Sequence, residues 1–225
     1  MNSAKYLKVG DYLIVGGYEN STPEINNKIQ KIKSIVTPGV NVISIRIYNK
    51  IDTLTEKVPD LPRGFDYIGY DYEKGSSFSP EFTTNETRSI SYFDQARAAV
   101  EQYNLRTGSN AKLIVMPPYG QLMNSNWDWG LAARHMDVID MQFQTFMKDK
   151  IFHNYVSNTV VQIKNEAPDT KIFIQLSLVP KKGTALDNLN AIRTLGDLPI
   201  DAFLIFYEPS QTLELEGFHA LITAK

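Results

Sequence analysis

Apolar residues along the chain fall into short runs rich in β-branched and aromatic side chains, separated by stretches in which apolar positions recur every three or four residues. The short runs are "YLIVGGY" (12–18), "NVISIRIY" (41–48), "FDYIGYDYE" (65–73), "KLIVMPP" (112–118), "VIDMQFQTF" (138–146), "KIFIQLSLVP" (171–180) and "DAFLIFYE" (201–208). Each has the length and composition of a buried strand.

Helical spacing appears between them. "STPEINNKIQKIKSIV" sets Ile25, Ile29, Ile32 and Val36 on one face and opens with Ser21 and Glu24 as a capping box. "SYFDQARAAVEQY" does the same with Phe93, Ala96, Val100 and Tyr103, and "NYVSNTVVQIKNEAP" with Val156, Val160 and Ile163. A last helix is expected in "TLELEGFHALITA", through Leu215, Phe218, Leu221 and Ile222. Pro or Gly follows most of these patterns, as in "TPG" (37–39), "APD" (167–169) and "LGDLP" (195–199).

Strand-type and helix-type patterns in alternation predict α/β architecture built on a parallel sheet. The 225 residues suit one domain, 1–225, and the most economical fold is a (β/α)8 barrel of the TIM type. Only seven strands are evident, and Lys50 to Gly64 is too short for another βα pair. The barrel is therefore expected to be incomplete or open, unless a further strand precedes this sequence.

Composition narrows the function. A hydrophobic content of 43%, a charged content of 21% and a net charge of −2 offer no basic excess to attract phosphates, so neither nucleic acid nor an anionic membrane is an expected partner. The absence of cysteine removes disulfides, thiolate catalysis and cysteine metal sites. No apolar run approaches the ~18 residues needed to span a bilayer, and the first residues are too weakly apolar for a signal peptide. A soluble protein is expected, cytoplasmic or secreted with its signal removed. His135, His153 and His219 show no metal-ligand spacing, and "VGG" (15–17) lacks the context of a phosphate loop, so no metal and no cofactor are expected.

The candidate chemistry sits in "FDYIGYDYE". Alternation along a strand puts Tyr67, Gly69, Asp71 and Glu73 on one face and Ile68, Tyr70 and Tyr72 on the other. Barrel enzymes place their chemistry at the C-terminal ends of strands, where Asp71 and Glu73 stand. Two carboxylates held close with little water repel, which can keep one protonated beside an ionised partner, as cleavage of a glycosidic bond requires. The alternative is a pair of strand-end charges that reach solvent or pair with a lysine such as Lys74; an unrelated barrel enzyme using the two acids as metal ligands is a third reading. Aromatics also gather where strands should end, at Tyr18, Tyr48, Tyr72, Tyr119, Trp127, Trp129, Phe146 and Tyr207. They suit either the stacking of sugar rings or core packing.

"FDYIGYDYE" resembles the fourth-strand signature D-x-x-D-x-D-x-E of glycoside hydrolase family 18, the chitinases and endo-β-N-acetylglucosaminidases. Asp66, Asp71 and Glu73 match, and Gly69 stands at the middle aspartate. "LIVMPPYGQL", "MDVIDMQFQTF" and "KIFIQLSLVP" are similar to the fifth, sixth and seventh strands of plant-type chitinases. The resemblance implies that Glu73 is the general acid and base and that Asp71 orients the substrate's 2-acetamido group, whose carbonyl oxygen is the nucleophile. It further implies an oligosaccharide partner. Gln144 aligns with the tyrosine that binds the acetamido group, with Gln142 on the same strand face, and Tyr207, Tyr119, Trp127 and Trp129 are expected around the sugar. Phe206 stands where the family has a tryptophan, and the family's third-strand S-x-G-G segment has no clear counterpart. Noncatalytic binding or scaffold proteins on the same barrel are the alternative function.

Overall fold

The computed structural model describes residues 12–18, 27, 31–32, 34, 36, 38–74, 79–117, 127–144, 152–179, 182–206 and 216. The chain packs as two compact units, Met1–Met116 with His135–Asp137, and Pro117–Arg134 with Val138–Lys225. Among the described residues, seven strands alternate with helices in chain order, an α/β fold consistent with part of a TIM-type barrel.

The first unit holds four parallel strands, β1 (Tyr12–Tyr18), β2 (Asn41–Tyr48), β3 (Tyr67–Asp71) and β4 (Lys112–Met116), each paired with the next. Register aligns Tyr18 with Ile47, Ile47 with Gly69, and Gly69 with Ile114. One face of β3 meets helix α2 (Glu86–Thr107): the rings of Tyr70 and Tyr72 lie 6.3 and 5.4 Å from that of Phe93. All three residues are buried, and full burial of one such ring stabilises by about 2 kcal/mol. The other face carries Gly69 and Asp71.

Caps explain the helix bounds. The Asn85 side chain accepts from the Arg88 amide, which starts α2 five residues before the apolar pattern becomes visible, and Gly108 ends it at φ 64°, where a side chain would be strained. Between β2 and β3, the segment Lys50–Gly64 contains a short helix, α1 (Ile51–Lys57), and a 3-10 turn (Val58–Asp60). Asn27, Lys31 and Ile32 are helical, whereas Ser21 and Glu24 lie outside the described residues.

The second unit holds β5 (Val138–Gln142), β6 (Lys171–Ser177) and β7 (Ala202–Phe206), also parallel. Its helices are α3 (Trp129–Ala133), α4 (Phe152–Glu166) and α5 (Ala185–Leu195). Leu178 and Ala185 pack with Ile192 and Ile205, so α5 covers the face of β7 that carries Ile205. Of the predicted last helix only Glu216 is described, and it is helical.

One device recurs at strand beginnings. Asp66, just before β3, accepts the Ser44 amide at 2.7 Å while its own amide donates to the Ser44 carbonyl at 3.0 Å. Asp201, just before β7, does the same with Ile172, at 2.9 Å both ways. Asp137 repeats it with Leu113, at 2.8 and 3.1 Å. Each carboxylate closes a backbone pair that would otherwise stop at the sheet margin.

Candidate functional site

The C-terminal end of β3 brings Tyr18, Asp71 and Glu73 together. Asp71 is only 2% exposed, and Tyr18 of β1 donates its phenol hydrogen to Asp71 Oδ2 at 2.6 Å. Burial comes first in raising the Tyr18 pKa well above its ordinary value of 10.0, followed by the Asp71 charge, the hydrogen bond to it and the Glu73 charge. Tyr18 is therefore a neutral, permanent donor at any physiological pH. Glu73, half-buried, follows Asp71 by two residues, and its charge adds to the rise of the Tyr18 pKa.

The backbone under the acids is held from the following loop. Buried Ser79 donates its hydroxyl to the Asp71 carbonyl at 2.8 Å and its amide to the Glu73 carbonyl at 3.0 Å. Glu81 accepts from the Tyr70 hydroxyl at 2.6 Å and from the Ile51 amide, in the first turn of α1, at 2.7 Å. The Tyr72 hydroxyl accepts from the Thr83 amide at 2.8 Å and lies 2.8 Å from the Ser89 hydroxyl. Residues of the outer face thus anchor the loop.

Gly69, where the family motif has an aspartate, faces apolar neighbours. A Cβ built there would stand 2.9 Å from Met116 Cε, 3.2 Å from Ile47 Cγ1 and 3.4 Å from Ile45 Cδ1. The space of the middle acid is filled, which distinguishes this strand from the motif it resembles. Asp66, the first acid of the motif, is engaged by the Ser44 amide and hydroxyl, each at 2.7 Å. Its place in the pattern is structural.

In the second unit, Gln142 ends β5 in register with Gln175 of β6, and Gln144 accepts from Lys182 Nζ at 3.0 Å. Asp140, 2% exposed, shares the Gln142 face of β5. Asp140 and Gln175 were not anticipated as site candidates, although alternation in "DMQFQ" already aligns Asp140 with both glutamines. Trp127 and Trp129 are buried, only 7% and 3% exposed, and stacked with ring centroids 5.8 Å apart, and Trp129 Nε1 donates to the Tyr155 hydroxyl at 3.4 Å. Asp128 between them caps α3 through the Leu131 amide and accepts from Gln162 of α4. Phe206 remains 43% exposed at the end of β7. Tyr119, Phe146 and Tyr207 lie outside the described residues.

Two expectations change. Tyr48 and Tyr72 are fully buried and do not line a cleft, because alternation turns them onto the same face of their strands as Tyr70, toward the helices. Two cavities of the first unit, ≈ 840 and ≈ 180 Å3, are lined at strand beginnings, by residues such as Asn41, Arg63, Asp66 and Lys112 for the larger and Arg97, Glu101 and Asp137 for the smaller. The acids stand at the opposite strand ends, so these cavities do not serve them. Among the described residues, no group of three or more His, Asp or Glu could hold a metal, and no helix is long and apolar enough to cross a membrane.

No protein-family model matches the chain, and no curated protein matches it. Among solved structures it is similar to beta-methylaspartase from Clostridium tetanomorphum in a Mg complex, with a TM-score of 0.59 and 10% identity over 97% of this chain and 54% of that one. It is also similar to concanavalin B, with a TM-score of 0.52 and 12% identity over 96% and 88%. The chain spans about half the length of beta-methylaspartase. Both likenesses concern the fold alone, and they agree with a barrel-type α/β architecture.

Proposed function

We propose that the chain is a glycoside hydrolase-like protein acting on β-linked N-acetylglucosamine glycans, with residues 1–225 as one barrel-type domain. In this reading Glu73 protonates the glycosidic oxygen as the C1–O bond breaks, and the substrate's acetamido oxygen attacks C1. Asp71 accepts the acetamido N–H and stabilises the positive charge that develops there. Water then attacks C1 and returns a proton to Glu73. Gln142 and Gln144 supply amide hydrogen bonds, and Tyr119 and Tyr207 belong to the sugar's surroundings, whereas Trp127 and Trp129, stacked on each other and buried, have no open ring face for a sugar.

The observation that carries this reading is the Tyr18–Asp71 hydrogen bond at the C-terminal end of β3, two residues before Glu73. A buried carboxylate that accepts from a neutral phenol is held in one orientation, as an orienting group must be. The same geometry is wasted on strand-end charges that merely meet solvent. A second reading, a noncatalytic glycan-binding protein, draws support from the sealed Gly69 position, which removes one acid from the pattern.

Incubation of chitooligosaccharides and chitobiose-core glycans with the wild type and Glu73→Gln separates the two. Hydrolysis by the wild type that falls at least 100-fold in Glu73→Gln supports catalysis, on the scale typical of a lost general acid. Binding without turnover in both proteins supports the second reading, and neither binding nor turnover sinks both.

A further inference from the structure

The cavity of ≈ 840 Å3 at the strand beginnings of the first unit falls within the range of about 300–1,000 Å3 common for small-molecule sites, and its whole lining belongs to that unit. Arg63, upstream of β3, and Lys112, the first residue of β4, both line it, and among the described residues neither side chain has an ion-pair partner. The acid of the lining, Asp66, turns its carboxylate to the Ser44 amide and hydroxyl instead. Asn41 and Asn110 add side-chain amides that no described group engages, and Ser109 accepts from the Thr107 hydroxyl at 2.8 Å, which leaves its own hydrogen to donate. Half-buried Val40 and Val42 give the cavity an apolar side. Two consecutive residues of α2 fasten the loops around it: the Tyr103 hydroxyl accepts from the Gly64 and Phe65 amides at 3.1 and 3.3 Å, and Asn104 exchanges hydrogen bonds with the Ala111 amide and carbonyl at 2.8 and 2.9 Å. Arg63 and Asn110 therefore extend from anchored backbone, and the rim is preorganised.

We propose that this cavity binds a small organic phosphate, with the phosphoryl group held by Arg63 and Lys112 and the organic body against Val40 and Val42. Two cations without acids match a phosphate monoester, whose charge at neutral pH is about −1.5 to −2, whereas a carboxylate would answer only one of them. The three terminal oxygens of such a group accept from the guanidinium, the ammonium and the Asn41, Ser109 and Asn110 donors. A net charge of −2 on the chain is no obstacle, because the attraction is confined to one concave, two-cation rim. The site stands at the strand ends away from Asp71 and Glu73 and is independent of the glycan reading.

The test is calorimetric titration with phenyl phosphate and with phenyl sulfate, which has the same shape and less charge, on wild type, Arg63→Gln, Lys112→Gln and Arg193→Gln, the last an exposed cation of α5 that does not line the cavity. Arg63 and Lys112 are exposed and make no side-chain bond within the described residues, so their substitution leaves the fold intact. Alongside, NMR follows the backbone amides of Gly64 and Gly108, which line the cavity. Phenyl phosphate is expected to bind the wild type and to displace both glycine resonances, and phenyl sulfate to bind about tenfold more weakly. Arg63→Gln and Lys112→Gln are each expected to weaken phenyl phosphate about tenfold, and Arg193→Gln to leave it unchanged. Glycine resonances that stay in place at millimolar phenyl phosphate overturn the proposal, and so does an equal loss of affinity in all three variants, the mark of unspecific attraction to surface charge. Equal affinity for the sulfate overturns the assignment of a phosphate.

Discussion

The two ends of β3 carry aspartates in opposite employment. Asp66, at its beginning, is saturated by the amide and hydroxyl of Ser44 on the neighbouring strand, and the Asp66 backbone completes the pairing in both directions. Asp71, at its end, is buried where Asp66 is exposed, and it meets a phenol from two strands away, two residues before a second acid. A carboxylate consumed by the backbone is a structural clasp. In the proposed function, the aspartate that a phenol approaches is the one that serves the chemistry.

Three perturbations bear on that contrast, taken in order of expected size. Gly69→Asp is the most severe: it adds a charged side chain among Met116, Ile47 and Ile45, and it is expected to lower unfolding stability by about 3 kcal/mol, read from the urea midpoint. An unchanged urea midpoint in Gly69→Asp would show that the middle acid is tolerated after all. Asp66→Ala strips the clasp and leaves the Ser44 amide unmatched, with an expected cost of about 2 kcal/mol and any glycan hydrolysis intact in the folded fraction. Asp71→Asn should invert the result, with stability held within about 1 kcal/mol and turnover down more than tenfold. Equal effects of the two substitutions would erase the distinction between the strand ends.

The smallest effect concerns alkaline pH. The phenols of Tyr18, Tyr70 and Tyr72 all have pKa values raised, chiefly by burial, above the ordinary 10.0. Below pH 10 folded and unfolded chains both hold these protons, and the contribution to stability is complete. As pH climbs past 10 the unfolded chain releases them first, so stability declines toward the folded-state values. Tyr18→Phe should make that decline shallower when unfolding is followed across pH 9 to about 11.5, a window set by the free phenol pKa. An identical slope would show that the Tyr18 hydroxyl is not held by Asp71 in solution.

Much of the fold is legible in the sequence because parallel strands are short apolar runs and helices between them have caps. β1 and β2 begin and end at the bounds the pattern predicts, β4, β5 and β6 begin where it predicts, and β3 and β7 begin later, at Tyr67 and Ala202. Three helices escape periodicity. α1 and α3 are under two turns long, and α5 interleaves Asp187, Asn188 and Asn190 with its apolar residues. At the site, alternation alone groups Asp71 with Gly69 and turns Tyr72 away. The Tyr18 contact is not legible, because it joins residues 53 positions apart. Nor does spacing reveal that "NWDWG" is a helix cap, since Asp128 earns that role only through the Leu131 amide and Gln162.

The clasps before β3 and β7 also limit how the connections can vary in length. A residue inserted upstream of Asp66 lengthens a surface turn and leaves the carboxylate on its amide. A residue inserted between Asp66 and Tyr67 either drags the carboxylate off Ser44 or slides the strand by one position, and a one-position slide sends Asp71 to the helix side and Tyr70 to where the acid stood. Loop growth is harmless on one side of a single peptide bond and ruinous on the other.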